Sequence, residues 1–227
     1  VERIRRRFHV TRFCVVADRG MISQETLKAL EAPENKIAYI LGTRMRKTKE
    51  VSKEVLSRAG RFKEVRPEGK SSKDPSPLKV KEVRVSDRRY VVCLNPRQAR
   101  KDKADRRAIL QALKEQLRKG PKSLIGNNGY RRYVKVVQGS VTIDMDKVKE
   151  EARFDGKWVL RTNTTLPADK VALKYKELWQ VEYAFRDMKT LLETRPIYHQ
   201  RDETIRGHVF CSFLSLVLRK ELYRRLE

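Results

Sequence analysis

The chain has 227 residues, enough to bury a substantial core, and it carries 54 Lys and Arg against 29 Asp and Glu, a formal net charge of +25. This excess favours a polyanionic partner, most simply nucleic acid, although a basic ribosomal-type protein would show it too. Cys14, Cys93 and Cys211 have no C-x-x-C spacing, which argues against zinc ligands or disulfides and predicts buried thiols in a reducing compartment. The longest apolar run, Val209–Leu218, is too short for a bilayer-spanning helix.

The first element is a helical segment at Val1–Phe8, which we expect to be the end of a helix that begins upstream. The apolar run Arg12–Ala17 predicts a buried parallel strand, and Asp18 follows it directly. Ligands in open α/β sheets bind beyond the carboxyl ends of strands, so Asp18 is a candidate metal ligand. The alternative is that Asp18 only begins a turn with Gly20.

The following residues complete an α/β pattern. Ser23 is expected to cap a helix that ends near Glu31, and Lys36–Leu41 is the next predicted strand. The further predicted elements are a basic helix from about Thr48 to Gly60, a hairpin of Leu78–Val85 and Tyr90–Leu94, a basic helix at Pro96–Lys119, a second hairpin of Tyr130–Val137 and Val141–Met145, a helix at Asp146–Phe154 and a strand at Lys157–Thr162.

Three carboxylates in this middle part resemble metal ligands but are expected to be structural. Asp144 and Asp146 are interpreted as turn and N-cap residues, and Asp155 with Gly156 as a turn.

Leu166–Glu193 is predicted to form one long helix near the C-terminus. Its apolar stripe has helical period and consists of Leu178, Val181, Phe185, Met188 and Leu192. Tyr175, Glu182 and Lys189 recur every seven residues on a neighbouring line, which puts the Glu182 carboxylate at the rim of the core. From spacing alone, this line is more often a solvated flank than an active site.

A last helix is predicted at Asp202–Leu226, with a broad apolar face that packs on the core. His199 and His208 are each expected to stand alone and to have no catalytic role.

Two motifs resemble those of a known family. Tyr175, Leu178, Glu182 and Lys189 resemble the Y-x2-R-x3-E-x6-K signature of bacterial insertion-sequence transposases of the DDE type, with Leu178 in place of the Arg. The run VVADRGM around Asp18 resembles the second catalytic Asp of that family. The resemblance implies an α/β fold with an RNase H-like core at residues 1–60 and 166–227, interrupted by a β-rich insertion at residues 61–165.

The same resemblance implies roles for individual residues. Asp18 and Glu182 would be catalytic and would bind two Mg²⁺ or Mn²⁺ ions together with an Asp upstream of Val1. Tyr175, Lys189 and Arg19 would contact DNA, as would Arg186, which we expect to replace the Arg missing at position 178. Since the given sequence lacks the first Asp, we expect it to bind DNA and to cleave poorly.

The implied function is DNA transposition: endonuclease cleavage at transposon ends and transfer of the 3′ ends into target DNA, a form of DNA recombination. The implied partners are double-stranded DNA and a second copy of the chain in a synaptic complex, in the bacterial cytoplasm at the nucleoid. Three alternatives stay open: an RNase H-like nuclease that cuts without joining, a non-catalytic nucleic-acid-binding protein, and a decayed or truncated transposase.

Overall fold

The computed structural model describes residues 7, 13–32, 37–66, 78–120, 132–137 and 140–226. These form two compact units, Val1–Tyr175 and Lys176–Glu227. The helix predicted at Val1–Phe8 lies, apart from Arg7, outside the described residues. The domain boundaries predicted after residues 60 and 165 stay predictions.

Eight strands and six helices are present in the described part of the chain. The strands are β1 Cys14–Ala17, β2 Ala38–Gly42, β3 Lys63–Val65, β4 Leu78–Val85, β5 Arg88–Leu94, β6 Val134–Val137, β7 Ser140–Ile143 and β8 Lys157–Thr162. The helices are α1 Gln24–Glu31, α2 Pro96–Arg118, α3 Met145–Ala152, α4 Ala168–Lys176, α5 Leu178–Thr190 and α6 Asp202–Leu226, and a single π-helical turn lies at Val51–Val55.

Six strands form one mixed sheet in the order β1-β2-β8-β5-β4-β3. Strands β1 and β2 are parallel, with Ala17 opposite Leu41, and the other neighbours are antiparallel. Strands β6 and β7 form a separate hairpin. The carboxyl ends of β1 and β2 therefore lie side by side at one edge of the sheet. The predicted α/β class is confirmed; the RNase H-like core and the β-rich insertion stay predictions.

Both faces of this sheet are covered. On one face, Val171 and Ala172 of α4 pack against Ile40, Val91 and Leu160. On the other, the π-helical turn and Phe154 pack against a set that includes Tyr90, Val92 and Val159. This two-sided burial explains why β5 is a continuous apolar run, since Tyr90, Val91, Val92 and Cys93 are all buried. It also holds α4 against β2, which positions the residues described below.

Several predicted elements are confirmed. The helix at Pro96, the first hairpin and the last helix occur within one or two residues of their predicted bounds, and β8 has the predicted bounds. Ser23 caps α1, because its side chain accepts a hydrogen bond from the backbone N–H of Thr26. In the same way Asp144 caps α3, which confirms that this carboxylate is structural.

Several predictions are wrong. The basic helix expected from about Thr48 to Gly60 is only a single π-helical turn at Val51–Val55. The long helix expected at Leu166–Glu193 is two helices, α4 and α5, which are separated at Glu177; there the backbone N–H of Gln180 bonds to the carbonyl of Glu177, one residue short of α-helical spacing. No Gly or Pro marks this break. Cys14 and Cys211 are exposed, and only Cys93 is buried. His199 and His208 do not stand alone, because their rings contact each other with centroids 5.3 Å apart.

The second unit consists of the end of α4, α5, a connection and α6. Arg219 of α6 donates to Asp187 of α5 at 2.8 Å, and Leu216 is buried. The apolar stripe predicted along α5 is only partly covered, because Val181 and Phe185 are exposed.

Candidate active site

Asp18 lies at the carboxyl end of β1 and is half-buried. Its backbone carbonyl accepts a hydrogen bond from the N–H of Met21 at 3.0 Å, so Asp18 does begin a turn. The backbone N–H of Arg19 donates to its carboxylate Oδ1 at 2.7 Å. Asp18 therefore both begins the turn and presents its carboxylate at the end of β1.

Tyr175 provides the second contact to this carboxylate. Its hydroxyl group donates to Oδ1 of Asp18 at 2.6 Å, although the two residues are 157 positions apart. Tyr175 lies on the face of α4 that Val171 and Ala172 bury against the sheet. Burial and the hydrogen bond to Asp18 raise the pKa of Tyr175 above its ordinary value, so it stays a protonated donor.

Within the described residues, Oδ1 accepts both hydrogen bonds to the Asp18 carboxylate. The Oδ2 oxygen is therefore left with its lone pairs available to a ligand. A carboxylate oxygen is the type of donor that Mg²⁺ prefers. Asp18 thus offers a carboxylate oxygen of the type that binds a hard cation.

Gly42, the last residue of β2, makes this arrangement possible. A Cβ atom at this position would lie 2.5 Å from the Tyr175 hydroxyl oxygen and 3.0 Å from the backbone nitrogen of Arg19. Only a residue without a side chain allows the tyrosine and the turn after β1 to approach β2 so closely. The strand predicted from sequence ended at Leu41 and did not include Gly42; a glycine at the end of a buried strand was the available signal.

The basic residues that follow β2 have different roles. Arg44 is exposed, and its Nε donates to the backbone carbonyl of Arg19 at 3.1 Å, which joins the two loops beyond β1 and β2. Arg46 instead pairs with the buried Glu151 at 2.9 Å and lies over the ring of Phe154. Arg46 is therefore a structural residue.

The predicted site residues of the second unit are Glu182, Arg186 and Lys189, all on α5 and all exposed. In the described part of the chain, none of the three side chains forms an ion pair, so each charge is available to a ligand. Tyr175, by contrast, belongs to the first unit. The signature run is therefore divided between the two units, with the break at Glu177 between Tyr175 and Glu182.

No cluster of three or more His, Cys, Asp or Glu side chains placed to hold a metal ion occurs among the described residues. Asp155, one of the carboxylates interpreted as structural, forms a two-pronged ion pair with Arg106, in which Nη2 lies 2.6 Å from Oδ2.

A family model described as a transposase DDE domain matches residues 1–218. No curated protein and no solved structure gives a significant match. Among the described residues, no helix combines the length and the apolar character needed to cross a membrane.

Proposed function

Because the chain belongs to the transposase DDE-domain family, we propose that it cleaves DNA strands at transposon ends and transfers the 3′ ends into target DNA in a metal-dependent reaction. Its macromolecular partner is double-stranded DNA, which the net charge of +25 favours.

One observation carries this proposal. Asp18, at the end of β1, and Tyr175, the first residue of the signature run, are joined by a hydrogen bond of 2.6 Å. These are the two parts of the chain on which the resemblance to the family depends. Residues so distant in sequence meet at the edge of a sheet where catalytic groups of α/β enzymes gather.

Asp18 and Glu182, together with the upstream Asp that the resemblance implies, would hold Mg²⁺ or Mn²⁺, since carboxylates offer hard oxygen ligands. The chemistry that such ions would supply there is activation of a water or 3′-hydroxyl nucleophile and stabilisation of the leaving oxygen of the phosphodiester. Tyr175 and the backbone N–H of Arg19 fix Oδ1 of Asp18, which holds the carboxylate in one rotamer. Tyr175 therefore acts as a positioning residue for Asp18.

Exposed cations supply the contacts to DNA. Arg186 lies one helical turn after Glu182, and Lys189 lies two turns after it. Both cations therefore lie on the C-terminal side of the Glu182 carboxylate along α5. Arg19 follows Asp18 directly. These side chains would bind phosphates next to the scissile bond, and a second copy of the chain would hold the other transposon end.

The test is cleavage of duplex DNA that carries the transposon ends, with Mg²⁺, by the protein with the upstream segment that supplies the first Asp, because the given sequence alone is expected to cleave poorly. Glu182→Ala and Asp18→Ala are each expected to abolish cleavage while DNA affinity is retained. The matched control is Asp144→Asn, which changes a carboxylate that caps α3 and pairs with Lys135 at 3.9 Å. Cleavage that survives Glu182→Ala would refute the assignment, and cleavage without joining of a free 3′ end would indicate a nuclease instead.

A further inference from the structure

Two of the three histidines in the chain meet in the second unit. His199 lies in the connection between α5 and α6, His208 lies in the second turn of α6, and their ring centroids are 5.3 Å apart with the ring planes at 65°. His199 is exposed and His208 is half-buried, so solvent reaches the pair. Imidazole nitrogens are good ligands for Zn²⁺ and Ni²⁺, whereas Mg²⁺ prefers oxygen. The pair therefore offers a chemistry different from that of the Asp18 and Glu182 carboxylates.

A hydrogen bond of His208 decides which of its ring nitrogens can bind an ion. Its Nε2 lies 3.2 Å from the backbone carbonyl oxygen of Thr194. A carbonyl oxygen only accepts, so Nε2 carries the hydrogen in the neutral ring and Nδ1 keeps its lone pair. Histidines that bind metals commonly donate their other ring N–H to a backbone carbonyl, which orients the ring and makes the ligating nitrogen more basic. His208 has this arrangement.

The carbonyl group of Thr194 is itself held in place. Thr194 is buried, its Oγ1 donates to the backbone carbonyl of Met188 at 2.7 Å, and its backbone N–H donates to the same carbonyl at 3.1 Å. Within α6, the buried Ser212 donates through Oγ to the backbone carbonyl of His208 at 3.0 Å. The end of α5 therefore positions the His208 ring through Thr194, and little side-chain entropy would be lost at His208 when an ion binds.

The separation of the two rings fits a shared ion. With metal–nitrogen bonds of about 2.0–2.1 Å and a bond angle of about 90–109°, two imidazoles on one ion have ring centroids roughly 4.5–5.5 Å apart. The observed 5.3 Å lies in this range. Only the ring orientation has to change, since the rings now meet edge to face. The χ2 torsion of histidine is broad and His199 is exposed, so a rotation of its ring costs little.

We propose that His199 and His208 bind one divalent transition-metal ion of the Zn²⁺ and Ni²⁺ class, which joins the connection after α5 to α6. Among the described residues, no third His, Cys, Asp or Glu completes a cluster with them, so water would fill the other coordination positions. Two protein ligands suit a reversible site, whereas structural zinc sites have four. The bound ion would hold the segment that follows the helix of Glu182 on α6.

The experiment is calorimetric titration of the full chain with NiCl₂ in the presence of excess Mg²⁺, which competes for sites made of carboxylates. His199→Gln and His208→Gln are each expected to weaken Ni²⁺ binding by about tenfold or more, because each removes one of the two protein ligands. The matched control is His9→Gln, which removes the remaining histidine of the chain and is expected to leave the Ni²⁺ affinity unchanged.

Thermal unfolding with and without Ni²⁺ gives a second readout. Because the ion binds the folded protein, it is expected to raise the Tm of the unmodified chain and of His9→Gln, and to leave the Tm of His199→Gln unchanged. His199→Gln is the decisive variant, since residue 199 is exposed and its replacement leaves the fold intact. His208→Gln also alters the hydrogen bond to Thr194.

Absence of Ni²⁺ binding by the unmodified chain would overturn the proposal, as would an unchanged Ni²⁺ affinity in His199→Gln or an equal loss in His9→Gln. A loss in Cys211→Ser as large as that in His208→Gln would also overturn it and would indicate a histidine–thiolate site, since Cys211 lies about one turn after His208 on α6. None of these results bears on the proposed cleavage reaction, which fails only if cleavage survives the Asp18 and Glu182 variants.

Discussion

The hydroxyl oxygen of Tyr175 lies 2.5 Å from the point that a Cβ atom would occupy at Gly42. The tyrosine thereby rests on the backbone of β2 while it donates to the Asp18 carboxylate at the end of β1. Two parallel strands and one helix thus meet at a single hydroxyl group. The position of the Asp18 carboxylate therefore depends on Gly42, a residue that has no side chain.

Gly42→Ala is expected to destabilise the protein by about 1–3 kcal/mol, because the added methyl group overpacks the contact with Tyr175. In the Tyr175→Phe background the same change is expected to cost less, since the hydroxyl oxygen is gone, although the backbone nitrogen of Arg19 at 3.0 Å and the ring carbon Cζ at 3.2 Å stay close to the new Cβ. Urea unfolding of the unmodified protein, the two single variants and the double variant gives the coupling energy between the two positions. Equal costs in both backgrounds would contradict the contact. Gly20→Ala, at an open position, is the control.

Tyr175→Phe alone removes a hydrogen bond to a carboxylate. Hydrogen bonds to charged groups contribute about 1.5–3 kcal/mol, so a decrease in stability in that range is expected. If Tyr175 positions Asp18, calorimetry with Mn²⁺ is expected to show weaker metal binding by the variant, with unchanged affinity for duplex DNA.

The control for this variant is Tyr183→Phe, a change at an exposed tyrosine of α5. Unchanged Mn²⁺ binding with weaker DNA binding in Tyr175→Phe would assign Tyr175 to DNA instead. Absence of Mn²⁺ binding by the unmodified chain would argue against the metal-ligand role of Asp18 itself.

Gly156→Ala is expected to destabilise the protein by roughly 3 kcal/mol or more. Gly156 has φ +60°, and its Cβ would lie 2.5 Å from two backbone atoms at the start of α2, the nitrogen of Ala99 and the carbonyl oxygen of Asn95. Backbone in a helix cannot move aside cheaply, so strain and overlap add. Thermal unfolding measures the change.

Gly207→Ala is the matched comparison for Gly156→Ala. Gly207 lies within α6 with open space around its Cβ position, so alanine is expected to stabilise the helix by about 0.5–1 kcal/mol. The same sign of effect at both glycines would contradict the packing described for Gly156.

Glu82 is expected to contribute to the acid sensitivity of the first unit. The hydrogen bond from Arg89, at 2.7 Å, lowers the pKa of Glu82 below its ordinary value of 4.5. A group with a depressed pKa stabilises the folded state above the unfolded value and loses this contribution as the pH falls through the folded value. Glu82→Gln is therefore expected to flatten the decrease in stability below pH 4.5, as followed by urea unfolding at several pH values.

The control for the pH experiment is Glu54→Gln, a change at an exposed glutamate. An identical acid profile for the two variants would show that the pair with Arg89 has no influence on stability. Arg89 also donates to the carbonyls of Thr164 and Leu166. We therefore expect disruption of the pair to affect the segment that leads into α4.

Much of the local structure followed from short patterns. The apolar run before Asp18 predicted a strand, Ser23 predicted a helix start, and the DDE transposase family inferred from two short motifs is confirmed by the match over residues 1–218. Such features depend on neighbours in sequence: period, caps and turn residues. The roles of Asp18, Glu182, Tyr175, Arg186, Lys189 and Arg19 stay predictions.

The break at Glu177 had no local signal, because no Gly or Pro occurs there and the helical period continues through it. Only the tertiary structure separates α4, packed on the sheet, from α5 in the second unit. The same holds for the Tyr175–Asp18 hydrogen bond and for the close approach at Gly42, which join residues up to 157 positions apart. Patterns of period and capping are local in the chain, whereas these contacts exist only because the sheet brings β1, β2 and α4 together.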